Sequence, residues 1–184
     1  MPYSMKEFIV LLAVFLLSTY IGYQWAASHP DQAETFIKQI FESLSFVKDL
    51  PQAMIFAVIF VNNTVKSFVN MLLGLAFGVI PVLFIAINGF TIGVVSAVVS
   101  KNVGLLKVLL MLIPHGILEI PAVLIACSYG LKLGIATLNR ARGVSVDIKF
   151  EIKRAVRAYL KYVMPMLLVA AFIETYVTPI ISQI

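Results

Sequence analysis

From Ala53 to Val99 the chain is almost unbroken in apolar residues, a run of 47 positions. No other feature limits the fold as tightly. One crossing of a bilayer takes about 20 apolar residues, so a run of this length holds two crossings back to back. Composition agrees. Of 184 residues 61% are hydrophobic and 12% charged, whereas a soluble domain is nearer half apolar and a quarter charged. The excess is more than one core can absorb. The sequence therefore predicts an all-α, polytopic membrane protein: a single integral-membrane domain of five transmembrane helices, with an outer amphipathic helix and a basic cytoplasmic helical loop.

The expected spans are about 7–27, 52–79, 81–100, 105–130 and 160–181. Lys6 followed by Phe8 to Leu17 has the outline of a signal peptide, with Ala26-Ala27-Ser28 as a cleavage site. The run continues to span length, however, through Tyr20, Tyr23 and Trp25, which suit a headgroup belt. After it, Phe36, Ile37, Ile40, Phe41, Leu44 and Val47 recur at helical steps among polar residues. That pattern predicts an amphipathic helix between Pro30-Asp31 and Pro51, lying on the membrane or on the bundle. Pro81 is the natural joint between spans two and three. The polar stretch 62-NNTVKS-67 makes span two a candidate for tilting, breaking or re-entering.

Segment 131–161 carries eight basic residues against Asp147 and Glu151, a net +6. Such a segment belongs in the cytoplasm, beside anionic headgroups. With five spans, the N-terminus is then cytoplasmic and the C-terminus outside the cell membrane. The 30–50 segment falls outside, and its four acids against two lysines give −2, in agreement. Lys101 and Lys107 also fall outside, a weak conflict. The chain's formal charge of +5 is read as lipid contact and not nucleic acid binding.

Small residues recur at spacing four: Gly74 and Gly78, Gly89 and Gly93 with Ala97, Ala122 and Ala126, Gly130 and Gly134, and Ser18, Gly22 and Ala26. In lipid, helices associate by close approach, which such ridges allow. They predict a tight bundle within one chain or in a homo-oligomer.

Polar groups at membrane depth are the candidate site. His115 and Glu119 stand four apart in 112-LIPHGILEIPA-122, with Pro114, Gly116 and Pro121 loosening the backbone around them. They read as a proton, cation or substrate site, or as a structural pair bracing a kink. Glu174 can reach the bundle interior or the outer interface. Lys66 can neutralise Glu119 or Glu174 across the bundle, or snorkel. Asn62 and Asn63, with Thr64 and Asn70, act as interhelical glue or line an access path, and Asn88-Gly89 is a further polar feature of span three that reads as a site element or as a local packing or kink element. No nucleophile with a base, phosphate loop or zinc-protease motif is present, and Cys127 stands alone in an apolar stretch. No enzyme activity, metal or cofactor is expected.

Taken together, 60-FVNN-63, 88-NGFTIG-93, 114-PHGILEIPA-122 and Glu174 in the last span resemble the stage II sporulation protein M family. The resemblance runs from about Ala53 to Pro179, and its specific part is the PHG-x-x-E element. It implies a multispanning membrane protein in which Asn62, Asn63, Asn88, Gly89, Pro114, His115, Gly116, Glu119 and Glu174 matter. The family's namesakes help hold peptidoglycan-degrading enzymes at the membrane during engulfment. The expected function is accordingly a membrane scaffold or remodelling component with membrane or extracytoplasmic protein partners. The competing expectation is a small transporter or channel built on His115, Glu119 and Glu174.

Overall fold

The computed structural model describes residues 5–43 and 50–178, and the side chains of all of these except residue 105 and residues 109–115. The elements in order are α1 (Met5–Ser28), α2 (Pro30–Ser43), α3 (Gln52–Leu73), α4 (Val79–Val103), α5 (Leu105–Ala141), α6 (Ile148–Ala158) and α7 (Met164–Phe172). A π turn at Tyr159–Val163 joins α6 to α7, and a second at Ile173–Val177 follows α7, so one helical rod runs from Ile148 to Val177. Among the described residues there is no strand. Five helical segments have the length and apolarity to cross a membrane: Met5–Ser28, Gln52–Leu73, Val79–Val103, Gly116–Ala141 and Ile148–Val177. The expected all-α polytopic class holds.

Helix α5 is the centre. One of its stripes, Ala122, Ala126, Tyr129 and Leu133, packs with Met71 of α3 and with Ala155, Ala158, Tyr159, Val163 and Leu167 of the last rod. The opposite stripe, Leu124 and Cys127, packs with Leu11 and Phe15 of α1 and Ile85 of α4. A helix apolar on every side is buried on every side, and 56% of this span is buried against 11% of the α3 span. A third cluster closes one end, where Ala33 and Ile37 of α2 sit on Ala26 of α1 and on Val94 and Ala97 of α4. Phe41, expected on the apolar face of this helix, is 53% exposed. The rest of that expected helix, with Leu44 and Val47, lies outside the described residues.

The boundaries correct several expectations. Spans two and three part at residues 74–78 instead of at Pro81. Phe77 and Gly78 both take left-handed backbone, φ 56° and 78°, and two such residues in succession stop one helix and re-aim the next. Pro81 instead stands in the first turn of α4, where its missing N–H has no helical partner to lose. Helix α3 runs unbroken through Asn62–Ser67; its polar side chains turn outward or back onto backbone carbonyls, so the backbone ladder survives. Helix α5 likewise runs through Pro114, Gly116 and Pro121 without a break. Each proline removes one donor, and in lipid the surrounding ladder has no water to exchange with.

The fourth span reaches Ala141 rather than residue 130, and the fifth begins at Ile148 rather than 160. The basic segment 131–161 is thus two helix ends joined by a tight connection, with Gly143 at φ 86° and Asp147 capping α6 by accepting from the Phe150 N–H at 3.0 Å. Lys149, Lys153, Arg157 and Lys161 stand exposed at four-residue steps along this rod. Arg154, also exposed, makes a loose 3.9 Å ion pair with Glu151.

Candidate functional site

Two seams position the polar groups. On the first, α1 and α4 touch backbone to backbone. A Cβ added to Gly93 would collide with the Thr19 carbonyl oxygen and lie 2.7 Å from the Tyr23 nitrogen. One on Gly89 would strike Ser18 Oγ and the Phe15 carbonyl, and one on Gly22 the Phe90 carbonyl. The α1 hydroxyls are tucked away to permit this: Ser18 and Thr19 both donate to the Phe15 carbonyl, at 3.0 and 2.8 Å. On the second seam Gly74 meets the Gly130 backbone, and Gly78 meets the Gly134 backbone. These glycines are where the sequence ridges placed them. Gly116, which belongs to none of those ridges, has only Ile120 Cδ1 within 4 Å among the described residues, at 3.5 Å.

Beside the first seam lies a cavity of about 50 Å³, lined by Asn88 and Glu119 among Phe15, Ile85, Ile92 and Ile120. That is room for water. Glu119 is half-buried on α5, and the Asn88 amide donates to the Phe84 carbonyl at 2.7 Å, leaving its oxygen open to another donor. So the structure brings together two of the expected site residues, Asn88 and Glu119. The helix carries His115 one turn from Glu119, on the same face. The side chains of His115 and Pro114 lie outside the described residues.

The other polar groups gather elsewhere. Tyr159 is fully buried between α3 and the last rod, where its hydroxyl donates to the Thr64 carbonyl at 2.7 Å and lies 2.9 Å from Ser67 Oγ. Ser67 Oγ also reaches the Asn63 carbonyl at 2.6 Å. Phe68 packs edge-on against the Tyr159 ring, centroids 5.0 Å apart. Thus 62-NNTVKS-67 serves largely as the socket for a tyrosine 92 residues downstream of Ser67. Lys66 and Asn62 turn away from the bundle and are exposed, so the expected convergence of Lys66 with Glu119 and Glu174 does not form. Asn63 is half-buried, and its Oδ1 accepts from Asn62 at 3.3 Å. Glu174 is half-buried in the second π turn, a segment that packs on both α3 and α5.

Sequence reasoning passed over Tyr159 and both π turns, yet a signal was present. In the first turn the Met164 N–H reaches the Tyr159 carbonyl, five residues back. Pro165 follows directly, and its ring would press on the Lys161 carbonyl in a regular α-helix. The widened turn relieves that clash and presents Tyr159 to α3. In the second the Thr178 N–H reaches the Ile173 carbonyl, and the sequence again places a proline next, at 179.

A helical bundle of five membrane-length rods, the fourth central to the other four, defines a multi-pass membrane protein. Residues 11–179 match the family model described as stage II sporulation protein M, and the chain belongs to that family. The resemblance read from the FVNN, NGFTIG and PHGILEIPA elements is borne out over nearly the whole chain. Two relatives come from Methanocaldococcus jannaschii. Uncharacterized protein MJ0793 is 31% identical over 134 residues, covering 69% of this chain and 72% of its own length. Uncharacterized protein MJ0706 is 28% identical over 158 residues, covering 82% of this chain and 68% of its own. No solved structure matches.

Proposed function

We propose that this chain is a membrane scaffold or remodelling component that holds partner proteins at the bilayer. The observation that carries the reading is the placement of α2. Ala33 and Ile37 fix it across the end of the α1–α4 pair, with Trp25 stacked on His29 beneath, ring centroids 5.6 Å apart. Its other faces stay open, and a shallow groove there is lined by Trp25, Asp31, Gln32, Thr35, Phe36 and Gln39. Aromatic surface rimmed by polar groups suits protein docking. At the opposite end, the stripe Lys149, Lys153, Arg157 and Lys161 suits anionic headgroups of the cytoplasmic leaflet. On this reading the N-terminus is cytoplasmic, α2 lies outside and no catalysis is involved. A photo-crosslinker at Gln39 in the native membrane is expected to give a discrete adduct; no adduct under mild extraction would remove the reading. A cysteine at Ser145 is expected to be labelled from the cytoplasmic face, and labelling from outside would invert the topology.

The cavity holding Asn88 and Glu119 supports a second reading, transport of a proton or small cation, with His115 and Glu174 as the remaining expected groups. Vesicles containing the pure protein would then show ion flux that Glu119→Gln abolishes. A sealed bilayer across several ions, with the protein folded, sinks it.

A further inference from the structure

Tyr159 fixes the depth of the basic stripe on the last rod. It stands between Arg157 and Lys161, and its hydroxyl donates to the Thr64 carbonyl at 2.7 Å and lies 2.9 Å from Ser67 Oγ. Arg157 and Lys161 are therefore level with Thr64–Ser67 of α3, where Lys66 is exposed too. At ~1.5 Å per residue, Thr64 is about 14 Å from the Leu73 end of α3. Beyond that end the chain stays apolar: no polar side chain occurs from Leu72 to Pro81, and Leu73, Phe77 and Val79 are exposed. The cations thus lie deeper in the bundle than a turn that itself belongs in hydrocarbon. Along the rod, an apolar ridge of Ile152, Val156 and Leu160 and a basic ridge of Lys153, Arg157 and Lys161 line one open groove. Among the described residues no carboxylate pairs with these three cations, since Glu151 turns to Arg154 and Asp147 caps α6. Lys161 Nζ has only the face of Tyr162, 5.3 Å from the ring centroid.

We infer that this groove takes the phosphate of an anionic phospholipid and draws it into the span, below the plane that the apolar turn requires. The inference rests on the scaffold and remodelling reading and on its orientation, which makes the lipid one of the cytoplasmic leaflet. Charge complementarity selects the occupant: three cations one turn apart, without a protein counter-charge, call for an anion. Hydrocarbon cannot supply one, and a soluble anion would have to leave water to reach this depth. A phospholipid carries its charge on apolar chains, and the groove has a wall for each part. Its phosphate meets Lys153, Arg157 and Lys161 while its first chain carbons lie along Ile152, Val156 and Leu160. The bilayer is then thinner beside the last rod than beside α4, an adjustment that costs only fractions of a kcal/mol per Å in general.

The test places the full chain, carrying a bimane label at Leu160→Cys, in vesicles of phosphatidylcholine and phosphatidylglycerol; Cys127 is buried and stays unlabelled. Quenching by spin-labelled phosphatidylglycerol is compared with quenching by spin-labelled phosphatidylcholine. Phosphatidylglycerol should be preferred about fivefold or more at Leu160, and not at a Leu83→Cys label on the exposed face of α4. Lys153→Gln, Arg157→Gln and Lys161→Gln together should abolish the preference. Should that variant fail to fold, Arg157→Gln alone should at least halve it. Depth is read from the same two labels. Pro81 and Met71 both lie against Gly130, so Leu83 is level with Val69, and Leu160 is about 7 Å further into the span. With phosphate drawn in, the Leu160 label should nevertheless read no farther from the headgroups than the Leu83 label. A Leu160 label that reads deeper by that interval overturns the inference. So do equal quenching by the two lipids at Leu160, a preference that survives neutralisation, and displacement of the lipid by dissolved glycerol phosphate, which would make a free anion the occupant. Loss of the lipid preference with Gln39 adducts and cytoplasmic Ser145 labelling intact removes this site alone. Labelling of Ser145 from outside removes the orientation, and missing Gln39 adducts remove the scaffold reading, whatever the Leu160 label reports.

Discussion

The two flanks of α5 hold together by opposite means. On one side α1 and α4 associate because side chains are missing: Gly22, Gly89 and Gly93 let backbone meet backbone. On the other, α3 and the last rod associate through a large side chain, Tyr159, whose hydroxyl finds the Thr64 carbonyl and Ser67. The first contact is sensitive to any added atom and the second to a lost one. The glycine seam should therefore be the less forgiving, since lipid supplies no alternative packing for two helices pushed apart.

The sharpest way to break this comparison is Gly93→Leu. Its first side-chain carbon already meets the Thr19 carbonyl, so the helices must separate. We expect a loss of at least about 1–3 kcal/mol, read as a large fall in the thermal midpoint in detergent. An unchanged midpoint would show that α1 slides freely. Tyr159→Phe should cost less, about 0.5–1.5 kcal/mol, because Ser67 keeps its bond to the Asn63 carbonyl and no acceptor is stranded. A larger loss than Gly93→Leu in the same assay would reverse the ranking. Gly116→Ala, whose new methyl meets only an ordinary contact with Ile120 among the described residues, should leave the midpoint unchanged or raise stability by up to about 1 kcal/mol through helix propensity. A fall there would mean that the face is covered. Smallest of all should be the coupling between Gly93→Ala and Tyr159→Phe. The sites share no partner, so a double-mutant cycle should close within about 0.5 kcal/mol; a stronger coupling would tie the two flanks together through α5.

Much of this was legible beforehand, and what was hidden follows a physical rule. Long apolar runs and small-residue ridges announce themselves, so the helical class and the glycines at 74, 78, 89, 93, 130 and 134 could be read directly. Facing could not be read the same way. In lipid the exterior of a helix is as apolar as its interior, so α4 offers little periodicity to tell inside from outside. That is why Lys66 could be expected to point inward, and why 62-NNTVKS-67 has the look of a break when it is a socket. Span ends were blurred for a related reason. The charges that follow residue 130 look like a loop, yet α5 continues as helix beyond the apolar zone to Ala141. The polar residues themselves were found readily, but their division into a cavity holding Asn88 and Glu119 and a separate Tyr159 cluster depends on long-range packing.

The π turns have a consequence for chain length. Each one absorbs an extra residue without adding a turn, so the final rod is written with two more letters than its reach demands. Removing one residue within Tyr159–Val163 would keep what lies beyond in phase only with Pro165 replaced as well, because a regular turn brings back the clash of its ring. The same deletion beside Gly93 would swing Ala97 by about 100° away from α1. This chain thus holds one helix whose extra residues are tied to its prolines and another in which a single deletion would unseat a whole seam.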